Sequence, residues 1–73
     1  MGDDVDILVA AGKALYGERW RSSIARDLAT TDRSIRNWMS RVHPMPVHAR
    51  TKLEALLVER AQLIRIVLET IRA

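Results

Sequence analysis

The 73-residue chain predicts an all-α fold of four to five helices that ends in one long C-terminal helix. Three observations lead there. Apolar residues recur at intervals of three and four along nearly the whole chain, the period of a helical face. No stretch alternates apolar and polar residues with β-branched enrichment, as a half-buried strand does. Breaks are few: Gly17, the Ala29-Thr30-Thr31 step and the run His43-Pro44-Met45-Pro46, with none from Val47 onward.

The first helix is expected from about Val5 to Tyr16, with Val5, Leu8, Val9, Gly12 and Leu15 on its inner face. Asp3, Asp4 and Asp6 suit its positive N-terminal end, and Gly17 suits a left-handed stop. The second runs from Trp20 to Leu28 or Ala29. Ile24, Ala25 and Leu28 point inward there, and Arg21, Ser22, Arg26 and Asp27 outward. Thr31 is placed to cap a third helix from Asp32 to about Arg41, whose inner residues are Ile35 and Trp38. Pro44 and Pro46 interrupt the chain, although Pro46 can open a helix. The last helix, from Val47, would be about 40 Å long at 1.5 Å per residue.

A chain this short buries only about 60% of its unfolded surface, so its core is small. Cysteine is absent, which excludes disulfides and a thiolate zinc site. Pairing with a second chain is the remaining source of support. The composition, 48% hydrophobic and 29% charged, fits a folded soluble protein. No apolar run approaches the ~20 residues that span a bilayer. The acidic opening differs from a basic leader, so a cytoplasmic location is expected. No nucleophile–base pair, phosphate loop or metal cluster is visible, so neither an enzyme nor a cofactor is expected.

The net charge of +3 is unevenly spread. Residues 1–17 carry three aspartates against one lysine, a net of −2. Residues 18–50 carry seven arginines against three acids, a net of +4. Arginine's planar fork suits phosphates and guanine edges better than the point charge of lysine.

Two short helices joined by a tight turn, the second capped by Thr and studded with Arg and Asn, make a helix-turn-helix pattern. The segment from Arg21 to Trp38 resembles the motif of the lambdoid phage repressors and Cro proteins (XRE-like family). Ala25 stands at the small-residue position where the helices approach. Ile24, Leu28, Thr30, Ile35 and Trp38 stand at the apolar positions, and Thr31 at the N-cap. Two departures are visible: Ala29 where the family usually turns on Gly, and Arg41-Val42 where Gly commonly follows the recognition helix.

The resemblance implies that Asp32, Arg33, Arg36 and Asn37 read bases in the major groove, since a recognition helix puts its N-terminal residues at base edges. Arg33 is the leading candidate for a bidentate guanine contact. Asp32 also has the local role of a first-turn acid. Arg21, Ser22 and Ser23 would meet phosphates at the start of the second helix, with Thr31, Ser34, Arg41, His43 and Arg50 as further backbone contacts. His43 and His48 otherwise read as surface residues, and lack the co-ligands of a zinc site. Trp38 reads as core, and Trp20 as cover for the junction of the first two helices.

In the last helix, Leu53, Leu56 and Leu57 are expected to close the core. Leu63, Ile64, Val67, Leu68 and Ile71 are left with nothing in their own chain to cover, which predicts a dimer interface. The domain reading is therefore a DNA-binding unit over residues 1–58 and a dimerisation extension over 59–73. The expected function is a homodimeric, sequence-specific double-stranded DNA-binding regulator, most simply a repressor on an inverted repeat. No small-molecule ligand is evident, and a membrane-surface role fits poorly because Glu54, Glu59 and Glu69 share the polar face with basic residues. The alternative is a protein-interaction module or antitoxin whose C-terminal helix binds another protein.

Overall fold

The computed structural model describes residues 3–73, and among them every regular element is helical. Helix α1 spans Asp4–Tyr16, α2 spans Trp20–Asp27, α3 spans Asp32–Met39 and α4 spans Val47–Arg72. A single 3₁₀ turn, Gly17–Arg19, links α1 to α2. The structure is thus all-helical with a long C-terminal helix.

Each boundary has a local cause. The Asp3 carboxylate accepts from the Asp6 backbone N–H at 2.9 Å and caps α1, with Asp4 and Asp6 in its first turn. Gly17 ends it at φ 79°, its N–H donating to the Lys13 carbonyl. The Thr31 hydroxyl accepts from the Ser34 N–H at 3.1 Å and caps α3.

The two glycine-deficient turns are the instructive ones. At the end of α2, the Thr30 N–H donates to the Ala25 carbonyl and the Ala29 N–H to the Arg26 carbonyl, with Ala29 at φ 55°. At the end of α3, Val42 donates to Asn37 and Arg41 to Trp38, with Arg41 at φ 61°. Both are the paired bonds of a Schellman turn. The chain makes each turn without the glycine that relieves its strain.

Leu8, Ala11, Leu15, Trp20, Ile24, Ala25, Leu28, Ile35, Met45, Ala49 and Leu53 are buried. Their arrangement corrects several expectations. Trp20 is a central core residue at 3% exposure, whereas Trp38 is only half-buried against the cluster. Trp20 owes its place to Gly12: a Cβ there would fall 2.3 Å from a ring carbon of the indole. Ala11 and Met45, absent from the expected inner faces, are buried. Asp27, expected outside, accepts from the Tyr16 hydroxyl in a part-buried bond. Helix α3 stops at Met39 rather than Arg41, because the Schellman turn consumes the last two residues.

Helix α4 is continuous for 26 residues, and the molecule is 48 Å long but only about 20 Å across. Its first half packs on α1 through Ala49, Leu53, Leu56 and Leu57. From Ala61 onward every residue is exposed. Among the described residues no helix is long and apolar enough to cross a membrane.

Candidate nucleic-acid interface

The amphipathicity of α3 sets the site. Ile35 is fully buried and holds the helix to the globule, so at about 100° per residue Arg33 and Asn37 fall on the opposite side and Arg36 on its flank. Arg33, Arg36 and Asp32 are exposed and Asn37 is half-buried. Among the described residues neither Arg33 nor Arg36 forms an ion pair or a side-chain hydrogen bond, although acidic side chains elsewhere do hold arginines. The Asn37 carbonyl is occupied by the turn that follows, accepting from Val42 and His43, and its side chain makes no hydrogen bond among the described residues.

The residues expected at phosphates divide into three groups. At the start of α2, Arg21 and Ser22 are exposed and Ser23 is half-buried, and no side chain caps that helix end. The Arg21 guanidinium lies 5.5 Å from the Trp20 ring centroid, a cation–π contact that limits its wandering. At the α2–α3 turn, the Thr31 hydroxyl both caps α3 and donates to the Ser34 hydroxyl at 3.2 Å. On the far side, Arg41 and Arg50 already have carboxylate partners: Arg41 pairs with Asp3, and Arg50 with Asp4 at 2.9 Å. His43 shares a shallow cleft with Asp3, Asp4, Val5, Trp38, Arg41, Pro44 and Met45. The Asp6 N–H, and after it the Arg41 guanidinium, hold the Asp3 carboxyl below its ordinary range.

No family model, characterised protein or solved structure matches the chain. Charge and geometry are what bear on its role. Among the described residues no group of three or more His, Asp or Glu is placed to hold a metal ion.

Two features at the other end of the globule were not read from the sequence. Arg60, which interrupts the apolar stripe of α4, donates to the Leu15 carbonyl at 2.6 Å and lies 6.0 Å from the Tyr16 ring centroid. It caps the C-terminal end of α1, where a cation meets the negative end of the helix dipole. Its position at the centre of an otherwise apolar stripe was the available signal. Tyr16, beside it, donates to Asp27, and burial together with that carboxylate pushes its phenol up to about 12. Beyond Arg60, Leu63, Ile64, Val67, Leu68 and Ile71 are 41–73% exposed, and the first four line a shallow apolar hollow with Arg60.

Proposed function

We propose that the chain is a helix-turn-helix, sequence-specific double-stranded DNA-binding protein that acts as a homodimeric transcriptional regulator. In this reading α2, its turn and α3 form the motif, and α1 with the first half of α4 supports them. The observation that carries the proposal is the outward face of α3. Two guanidinium groups stand there without carboxylate partners among the described residues, on a helix that Ile35 and the Thr31 cap hold in place. A surface built to bind protein would be expected to carry apolar anchors at that spot.

Arg33 and Arg36 reach base edges, and Asn37 and Asp32 flank them. Arg21, Ser22 and Ser23 meet one stretch of backbone, helped by Thr31 and Ser34. Arg41, His43 and Arg50 meet another once phosphate displaces Asp3 and Asp4. That exchange costs little, since exposed ion pairs contribute about 0–1 kcal/mol. Occlusion of a promoter by the bound pair is the simplest route to repression, in the cytoplasm of a cell with accessible DNA. Two copies would recognise an inverted repeat with half-sites one helical turn, or a multiple of it, apart.

Selection of bound duplexes from a random pool tests this, and an enriched inverted repeat is the expected product. On the selected duplex, Arg33→Ala should weaken binding by about 1–3 kcal/mol and relax preference at one base pair. Arg21→Ala should weaken all duplexes alike and reduce the salt slope by about one. No enrichment, or no effect of either change, refutes the reading. The bare apolar half of α4 favours a second reading, an interaction module or antitoxin that captures another protein. It would be preferred if the chain ignores DNA and is monomeric alone.

A further inference from the structure

The apolar stripe on the free half of α4 is the same stripe that the globule covers on the other half. At about 100° per residue, Ala49, Leu53, Leu56, Leu57 and Arg60 lie in one sector of the helix, and Leu63, Ile64, Val67, Leu68 and Ile71 continue it without rotation. The Arg60 bond to Leu15 marks the side on which α1 sits and the level at which it ends. The globule and the bare surface therefore share one face of α4, and the globule stops where the bare surface begins.

That arrangement decides which way a second copy can approach. A parallel partner would bring its own α4 along the full stripe, into the space that α1 fills beside Leu53 and Leu57. Its globule would sit on the face turned toward the first chain, so the two globules would collide. An antiparallel partner meets neither obstacle. Its helix runs over residues 60–72 only, and its globule lies beyond the C-terminal end of the first chain. We infer that two copies of this chain pair through antiparallel α4 tails, with Ile64 of one opposite Val67 of the other. Ile71 of each then lies at the junction of α1 and α4 in the other, beside a hollow where Leu15, Leu56 and Leu63 are mixed with Tyr16 and the charged Asp27, Glu59 and Arg60.

Size and charge agree with a second copy as the occupant. The five exposed side chains leave on the order of 450 Å² of apolar surface per chain, so a pair buries about 900 Å² from them alone. Specific interfaces begin at about 1,200 Å², so the flanking residues have to supply the remainder. The positions beside the stripe are Ala61 and Thr70, both neutral, and Arg72 at its C-terminal end, while Arg65 and Glu69 fall on the outer face. At the centre of the seam, where Ile64 meets Val67, no like charges face each other across the two-fold axis. The inference rests on the two-chain part of the proposed function and not on DNA contact.

The chain has no cysteine, so a single one can be placed at will. Thr51 is exposed on the outer face of α4, away from the proposed seam. In full-length Thr51→Cys carrying a spin label, the antiparallel pair separates the two labels by about 29 helical residues, or roughly 43 Å along the axis. Light scattering should give a two-chain mass, and dipolar spectroscopy a distance above about 35 Å. A shorter distance means a parallel or side-by-side pair and overturns the orientation. A monomer, or a tetramer, overturns the pairing itself. Val67→Glu should give a monomer whose circular dichroism still reports a helical fold and whose Trp20 remains shielded. If that variant stays dimeric, the seam lies elsewhere. All of these readings are made without DNA, so their failure leaves the DNA-binding reading standing.

Discussion

Gly12→Ala puts the packing of the core to its hardest test, because two effects of opposite sign meet at one atom. In the middle of an exposed helix, Gly→Ala stabilises by about 1 kcal/mol. Here the new methyl would stand 2.3, 2.5 and 2.9 Å from three atoms of the Trp20 indole. Carbon atoms settle at about 3.5–4.0 Å, so the ring would have to retreat by more than ~1 Å. It has nowhere to go: Trp20 is 3% exposed and belongs to a cluster that includes Leu8, Ile24 and Ala25. Overpacking of a closed core costs about 1–3 kcal/mol, and a rigid bicyclic ring with no escape belongs at the upper end. Set against the propensity gain, the net is a loss of about 2 kcal/mol. For a domain of this size that lowers Tm by roughly 8–16 °C. Thermal and urea unfolding followed by tryptophan fluorescence measure it. Ala14→Gly, at an exposed position of the same helix, is the control and should cost about 1 kcal/mol by propensity alone. A Gly12→Ala protein that melts at or above the parent would show that Trp20 does not lie over Gly12, and with it the packing of α1 on α2 would fall.

Ala29→Gly should stabilise by about 0.5–1 kcal/mol, because the φ of 55° costs an alanine about 1–2 kcal/mol and the added freedom of the unfolded glycine returns part of that. The urea midpoint should rise with the slope unchanged, and a fall would mean the α2–α3 turn is not left-handed there. Tyr16, the sole tyrosine, keeps its proton up to about 12 in the fold against 10.0 in the unfolded chain. The folded state therefore holds more protons between those values, and stability falls as pH rises through 10 toward 12. Phenolate absorbance should titrate late, and Tyr16→Phe should remove that part of the alkaline loss. A tyrosine titrating at its ordinary value would contradict the bond to Asp27.

What the residues disclosed and what they hid follow from the range of each interaction. Helix positions were legible because caps and breakers act within four residues: Asp3 reaches Asp6, Thr31 reaches Ser34, and Pro46 stands directly before α4. The outward face of α3 was legible for the same reason, since Ile35 fixes which side is buried. The unusual ends of α2 and α3 were visible as missing glycines at Ala29 and Arg41. Both turns keep left-handed geometry regardless, because two backbone bonds in each turn outweigh the strain of one residue.

Other matters were decided only by tertiary contacts. Sequence periodicity treats Trp20 and Trp38 alike as apolar, and the choice of Trp20 for the centre depends on a glycine eight residues away on another helix. Asp27 looked like a surface acid until Tyr16, eleven residues earlier, was brought against it. Arg60 looked like a flaw in a stripe until α1 ended beside it. Arg41 and Arg50 looked equally free, yet α1 lays Asp3 and Asp4 across them. The sequence by itself determined, to within about two residues, where the helices begin and end, and most of the apolar side of each, since these depend on neighbours along the chain. The tertiary structure decided which apolar residue fills the centre, which charges are already paired and which half of α4 is left bare. Those outcomes depend on side chains up to 46 residues apart, and no local pattern encodes them.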